Sequence, residues 1–398
     1  MVHILTECSP QYLKKIMQGI EVDPYGVDIM LPKTITHLLK INSISNIAAN
    51  ILKQEMLSLG ADVAVARDAL TGRNRKTDCL IIGNLSQFNR LNIKLQKQPF
   101  GLGRLAREIA SSLGNFQKEN FTLHLGKYRL DLDKRVRIMG ILNLTPDSFS
   151  GDGLYRISKI ENIIRYAQSL TRDGADILDI GGESTRPGAR PVPLKEELER
   201  TIPLIKLLAK KVKVPISIDT YKPEVARQAL DNGADMVNDI TGLKNPKMAK
   251  IIAQHKAAVV IMHMQGRPRT MQKNPIYALL IPEIILYLKK AIIRAEEAGI
   301  APEKIIIDPG IGFGKTLAGN LEILKRLKDF KVLGKPILVG PSRKSFLGRI
   351  LKIDPQKRIF GTVSACVLAA KGGAKIVRVH DIKPVYEALK VARAILNS

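Results

Sequence analysis

Apolar runs in this sequence end, again and again, on residues that can do chemistry. ISID ends on Asp219, MVND carries Asn238, and IIID ends on Asp308. Carboxylates and an amide suit a flat heterocycle rich in N–H donors, since a carboxylate accepts two parallel charge-assisted hydrogen bonds at once. Met262 and Phe313 offer apolar walls for such a ring. A second set is cationic. Arg343 and Lys344 follow the run PILVG, Arg378 and His380 lie in KIVRVH, and Asn143 follows VRIMGIL. Guanidinium and ammonium groups suit a phosphate or diphosphate, and a magnesium ion held by oxygen ligands would fit beside them.

The glycine-rich stretch IIIDPGIGFGKT, residues 305–316, fails the two common phosphate-loop patterns. P-loop spacing needs glycine at Pro309, and the dinucleotide fingerprint needs glycine at Lys315. What remains is a buried β-branched strand that delivers Asp308 to a tight, glycine-rich turn. His380 beside Asp381 would suit a hydrolase dyad, but no GxSxG elbow or nucleophilic cysteine accompanies it. HxH and HExxH patterns are absent, which argues against a zinc or iron hydrolase. The ends of the apolar runs together give Asn143, Asp179, Asp219, Asn238, His263, Asp308, Ser342 to Lys344, Arg378 and His380. Against this, His263, inside MHM, reads as structural rather than as a base, and for Asp179 and Glu183 the plain alternative is that they order their own loop. For any single buried Asp the plain alternative is an ion pair with a neighbouring Lys or Arg.

The elements that must position these groups repeat. From Val136 onward one unit recurs: a short apolar strand, a polar residue at its end, a loop and an amphipathic helix. The strands are VRIMGIL, DILDI, VPISID, DMVND, AAVVIM, KIIID, PILVG and KIVRV. Ile157, Ile160, Ile164, Ala167 and Leu170 share one face of the first helix, and Leu198, Ile202, Ile205 and Leu208 one face of the second. Glycine just before a strand recurs in GAD at 174–176, GAD at 233–235 and GAK at 373–375. Eight strand–helix units over roughly 250 residues predict a (β/α)8 barrel, whose sites lie at the carboxyl ends of the strands.

The first third is different. Residues 1–40 show no periodicity; a helix is expected from Ser43 to Gly60, strands at 62–66 and 79–82, a helix capped by Ser86, and another over 102–113. Residues 1–115 therefore read as a small α/β domain without a catalytic constellation. GNFQKEN, 114–120, reads as a linker. FTLHL and YRLDL around Gly126 and Lys127 read as a two-residue hairpin leading into the barrel domain, 121–398.

At 398 residues, 45% apolar and 25% charged, the chain has the make-up of a soluble globular protein. It has no run long enough for a membrane helix and no secretory signal pattern. Cys8, Cys79 and Cys366 are odd in number and far apart, which points to a reducing cytoplasm. The net charge is +26: Lys and Arg number 17 against 12 acidic residues before residue 134, and 46 against 25 from there on. These basic residues are spread along helices, so a solvated surface is favoured over a nucleic-acid face.

Taken together, MGILNLTPDSFSGDG, DIGGESTRPGA, SIDT, VNDI, MHMQG, IIIDPGIGFGKT, GPSRKSFLG and RVHDI, in this order from about Phe121 to the C-terminus, resemble the dihydropteroate synthases of folate biosynthesis. That family joins 6-hydroxymethyl-7,8-dihydropterin diphosphate to p-aminobenzoate and releases diphosphate. The resemblance implies that Asp219, Asn238, Asp308 and Lys344 hold the pterin, with Ile240, Met262 and Phe313 packed on its ring. It implies an anion pocket of Asn143, Arg378 and His380, with Asn143 also binding Mg2+. Phe149, from the loop after the first strand, Thr185 and Pro187, from the loop after the second, and Ser345 would shape the p-aminobenzoate slot. The diphosphate would leave first, giving a pterin-methyl cation favoured by Asp219 and Asp308. The catalytic set would be Asn143, Asp219, Lys344, Arg378 and His380. A cytoplasmic homodimer is implied as well. One departure is visible, Ser-Gly-Asp-Gly at 150–153 where many relatives have Ser-Asp-Gly-Gly.

Two other readings stand beside it. A pterin-binding methyltransferase domain acting on methyl-tetrahydrofolate would share the barrel and the 308–315 edge, yet it needs no diphosphate pocket, and SRKSF, RVHD and STRPGA count against it. A non-catalytic basic barrel that binds RNA or a partner would not need polar residues at every strand end.

Overall fold

The structure, a computed structural model, describes residues 2–6, 8–70, 75–144, 160–184, 189–266, 270–272 and 275–396. The chain forms two compact units, Met1–Gly114 and Asn115–Ser398.

The first unit contains α1 (Pro10–Gly19), α2 (Pro24–Met30), β1 (Thr36–Ser45), α3 (Asn46–Ser58), β2 (Asp62–Val65), β3 (Lys76–Asn84), α4 (Leu85–Gln96) and α5 (Leu102–Gln117). Its antiparallel sheet runs β1-β3-β2. Alternation along β3 buries Thr77, Cys79 and Ile81. Against that face pack Leu52 and Met56 of α3, Phe88, Leu91 and Leu95 of α4, and Leu102, Ala106 and Ile109 of α5.

Two expectations fail in this unit, and the stretch without clear periodicity proves to hold α1, α2 and the first half of β1. Ser9 and Asp23 cap α1 and α2, each with proline in the first turn; α1 carries Leu13, Ile16 and Met17 along one side but buries no residue. The cap of α4 is Asn84, which exchanges hydrogen bonds with Gln87 in a capping box, and not Ser86. The stretch expected as a linker begins inside a helix, since α5 runs through Gly114 to Gln117. A glycine within a helix costs only about 1 kcal/mol, too little to end one by itself.

In the second unit a hairpin, β4 (Thr122–Leu125) and β5 (Tyr128–Asp131), leads into the barrel. The barrel strands are β6 (Arg137–Asn143), β7 (Ile177–Gly181), β8 (Ile216–Asp219), β9 (Met236–Asp239), β10 (Ala258–Met262), β11 (Ile305–Asp308), β12 (Ile337–Val339) and β13 (Ala374–Val379). All pair in parallel, and β13 closes on β6. Around them lie α6 (Ile160–Arg172), α7 (Leu194–Lys211), α8 (Pro223–Asp231), α9 (Pro246–Gln254), α10 (Leu280–Glu297), α11 (Leu317–Lys325), α12 (Ser345–Leu351), α13 (Ile359–Lys371) and α14 (Ile382–Leu396). In α6 the buried stripe is Ile164, Ala167 and Leu170. Ile160 is exposed, and Ile157 lies outside the described residues. Gly174, Gly233 and Gly373 have φ of 112°, 104° and 94°, which explains glycine at each helix-to-strand junction.

Strand alternation sorts the barrel into two cores. Outward residues such as Leu178, Ile218, Val237, Ile261, Ile307, Val339 and Val377 pack against the helices. Inward residues Met139, Ile177, Met236, Val260, Ile306, Leu338 and Ile376 fill the interior, together with Leu123 and Leu125 of the hairpin and Leu132 just after it. The hairpin thus contributes to the apolar filling, and inward positions nearer the carboxyl ends include the polar Asn143, Asp179, Asp219, Asn238 and Asp308.

Candidate active site

Register sets the site. Asn143 pairs with Gly181, Gly181 with Asp219, and Asp219 with Asn238, so these four positions form one tier at the strands' carboxyl ends. Met262 and Asp308 pair in the same way across β10 and β11. Asp179 lies one inward position deeper on β7, level with Ser217.

Arg378, inward on β13, joins the tiers. Its Nε donates to Asp179 Oδ2 at 2.5 Å and its Nη2 to Asp219 Oδ2 at 2.6 Å. Asn238 Nδ2 donates to the same Asp179 oxygen at 3.0 Å. Each carboxylate still has a second oxygen, Oδ1, that is buried and without a hydrogen-bond partner. Buried oxygens of that kind are costly unless a donor reaches them, which marks them as ligand-facing. Burial pushes the Asp219 carboxyl up, Arg378 opposing it and Asp179 adding to it. Burial works against the charge of Arg378 too, but the two aspartates hold it above its usual range. Asp179, read at its strand end, joins Arg378 and Asn238 in the barrel mouth, and the alternative that it only orders its own loop does not hold. Its inward alternation with Ile177 and Gly181 was the available signal. Glu183 does order its loop: it accepts the Val192 N–H at 3.2 Å, the Tyr221 hydroxyl at 2.8 Å and Lys222 Nζ at 2.5 Å.

The other side of the mouth is built by the glycine loop. Asp308 Oδ1 accepts the Gly310 N–H at 2.7 Å. Gly310 has φ of 74°, and a Cβ there would run into the carbonyl oxygen of His263. Lys344 precedes the first residue of α12; its Nζ donates to the Ile311 carbonyl and lies 4.6 Å from the centre of the Phe313 ring. Burial lowers Lys344 to about 8, Asp308 pulling the other way. Burial raises Asp308, with Lys344, the Gly310 N–H and Lys315 opposing. Ile240, Met262, Met264 and Met271 form a small apolar cluster with Tyr221 and Phe313 against it, a wall beside the carboxylates.

His380 follows β13; Ser342 Oγ and its Nδ1 are 3.0 Å apart, and its N–H donates to Ser342 Oγ at 3.2 Å. Ser345 begins α12 and is exposed. Arg343 does not face a phosphate site as expected. Its fork is engaged by Asp381, at 3.1 and 2.7 Å, which also removes the supposed His380–Asp381 dyad. Phe149, Thr185 and Pro187, and the 150–153 departure, lie outside the described residues. Ser342, read at the end of its strand with Arg343 and Lys344, anchors His380. Lys315 was missed as a site-supporting residue, since neither spacing nor periodicity marks it.

A closed parallel barrel with paired carboxylates, an amide and cations converging on an apolar wall defines a barrel enzyme for a flat, donor-rich heterocycle bearing an anion. The profile of the family described as "Pterin binding enzyme" matches residues 139–380. A dihydropteroate synthase of Synechocystis is 50% identical over 275 residues, covering 69% of this chain and 94% of that protein. A dihydropteroate synthase structure from Xanthomonas albilineans with 4-aminobenzoic acid superposes with a TM-score of 0.65 at 41% identity, covering 70% of this chain and 99% of that one. A Halobacterium salinarum protein named probable bifunctional folylpolyglutamate synthase/dihydropteroate synthase is 39% identical over 379 residues, which is 95% of this chain and 45% of that protein. The chain belongs to the pterin-binding enzyme family and, within it, to the dihydropteroate synthases.

Proposed function

We propose that the chain condenses 6-hydroxymethyl-7,8-dihydropterin diphosphate with p-aminobenzoate, and that the residues of the barrel mouth divide the work as follows. Asp219, Asn238, Asp308 and Lys344 bind the pterin, and Ile240, Met262 and Phe313 cover its ring. The C–O bond to the diphosphate breaks with its electron pair leaving on oxygen. The aniline nitrogen then forms the C–N bond and loses a proton to water. Asp219 and Asp308 favour positive charge on the pterin methylene electrostatically. Arg378 and His380 receive the departing anion, and positioning of the amine replaces any need for a strong base. The observation that carries this reading is the pair of orphaned carboxylate oxygens beside Arg378 in the mouth of a closed barrel.

Among the described residues no group of three or more His, Cys, Asp or Glu is arranged to cage a metal. A magnesium ion bound mainly through substrate phosphates needs only one or two protein oxygens, and Asn143 Oδ1, facing Gly181, fits that demand. When bound, the ion would neutralise charge on the leaving diphosphate. Thr185, Pro187, Phe149 and Ser345 are assigned to the p-aminobenzoate slot by similarity. The domain reading of 1–115 and 121–398, a homodimer and a cytoplasmic setting complete the proposal. Three free cysteines support the last of these, and no helix among the described residues is long and apolar enough to cross a membrane.

The test is diphosphate release with and without Mg2+ and p-aminobenzoate, comparing Asp219→Ala and Arg378→Ala. Release that depends on Mg2+, yields dihydropteroate and collapses in both variants supports the proposal. Tight pterin binding without diphosphate release would move the assignment to a methyl-transfer module.

A further inference from the structure

Lys315 is 2% exposed and lies beneath the glycine loop, away from the ring wall. Its ammonium donates to the Phe313 carbonyl at 2.9 Å and the His263 carbonyl at 3.4 Å, and lies 3.0 Å from His263 Nδ1. His263 just follows β10, whereas Phe313 lies in the loop after β11. The lysine therefore ties two neighbouring strand ends together. The partner ring is fixed in turn: it stands edge-on to Tyr287 at 4.8 Å and tilted to Tyr277 at 6.1 Å, and the Tyr277 hydroxyl donates to the Gly314 carbonyl at 2.8 Å. Burial, with Lys315 and Lys244 adding to it, pushes His263 down to about 2, so the ring is neutral and can accept from the ammonium. A Cβ on Gly310 would lie 3.3 Å from Lys315 Nζ, and the N–H of that glycine holds Asp308.

We infer that Lys315 is a positioning residue of the pterin site, fixing the glycine loop against β10 and keeping Asp308 ionised by standing behind it as a second cation. This rests on the proposed role of Asp308 in holding the pterin. The charged and titratable groups around it are Asp308 from β11, Lys344 before α12, Arg378 from β13, His263 after β10, Tyr277 and Tyr287 on the α10 side, and Lys244 after β9. Burial lowers Lys315 to about 7, with Asp308 opposing and Lys344 adding, so the ammonium is present throughout the acidic range where Asp308 gains its proton. A nearby opposite charge lowers a carboxyl by about 1–3 pH units. Removing it moves Asp308 protonation, and with it the loss of pterin binding, to higher pH.

The experiment measures affinity for the pterin diphosphate by calorimetry from pH 4.5 to 8 in the unaltered protein, Lys315→Met and Lys315→Arg. The methionine variant is expected to shift the acid limb upward by about one pH unit and weaken binding about tenfold near its midpoint. KM for p-aminobenzoate is expected to stay unchanged, and the arginine variant to keep the original limb. If the methionine variant does not fold, Lys315→Gln, which keeps a donor to both carbonyls, takes its place with the same expected shift. A folded charge-free variant with an unmoved limb overturns the inference, as does an arginine variant that shifts like methionine. Failure of the unaltered protein to bind the pterin diphosphate at any pH overturns the functional reading and the inference with it.

Discussion

The two sides of the barrel mouth solve the same problem with different cations. On the β7–β9 side, Asp179 and Asp219 are clamped by one guanidinium through direct bonds of 2.5 and 2.6 Å. On the β11 side, Asp308 is held by an N–H of its own loop and faces the buried Lys315 and the half-buried Lys344. Burial raises both Asp219 and Asp308. A guanidinium keeps its charge across any working pH, whereas an ammonium yields it readily when buried. The first side is therefore electrostatically stiff, suited to charge that develops during reaction. The second is tunable, suited to recognising the pterin ring.

The contrast is broken most severely at Arg378. Arg378→Ala strands two buried carboxylates at once, and removing one partner of a buried pair costs about 3–5 kcal/mol. The variant should unfold at markedly lower urea and lose about 10²-fold or more in diphosphate release. Near-normal stability would show that the clamp is not what holds the β7 and β8 ends.

Asp308→Asn should separate recognition from integrity. The amide oxygen can still accept the Gly310 N–H, so stability should change little, while a lost charge-assisted bond to the pterin costs about 1.5–3 kcal/mol. KM for the pterin diphosphate should rise about 10- to 150-fold, with KM for p-aminobenzoate unchanged. Asp219→Asn should differ by losing stability as well, because Arg378 then lacks one of its two anions. If the two variants behave alike in a urea titration, the sides are not distinct.

Much of this architecture was legible before any coordinates. The barrel was readable because short apolar runs with a polar residue at the end alternate with amphipathic helices, the pattern that buried parallel strands and their crossovers leave in a sequence. Asn143, Asp219, Asn238, Asp308, Arg378 and His380 were readable because they sit where those runs stop. Asp179 was readable at its strand end as well, one inward step earlier, but its bond to Arg378 was not. Arg343 was misread because its partner, Asp381, is 38 residues away in sequence. Ser342 was readable where its run stops, though its contact with His380 was not, and Lys315 acts through other residues, for which no local pattern encodes a partner. The first unit was harder for a different reason: α1 has an apolar side yet buries nothing, and β1 leaves Leu38 exposed, so the sequence there does not separate a buried face from an open one.

Lys344 sharpens the contrast through pH. Burial sets it at about 8, below its ordinary 10.5. Its cation is thus lost as pH rises through 8, and affinity for the pterin diphosphate should fall there. Lys344→Arg should move that limb upward, since arginine stays charged. Stability responds with the opposite sign. Between about 8 and 10.5 the unfolded chain holds more protons than the folded one at this position, so this group's contribution to stability rises with pH. Affinity and stability moving together above pH 8 would rule Lys344 out as the group responsible.

The smallest effect is expected at Ser342, which touches neither carboxylate. Its hydroxyl contacts His380 Nδ1 and accepts the His380 N–H, so Ser342→Ala leaves that residue without its local anchor. Loss of a neutral bond of this kind is worth about 1 kcal/mol. That predicts about a fivefold fall in kcat for diphosphate release, with the pterin KM little changed, because His380 lies on the side that receives the anion. An effect as large as that of Arg378→Ala would mean that the His380 anchor, and not the guanidinium clamp, makes the first side stiff. No effect at all would confine that stiffness to Arg378 and its two aspartates.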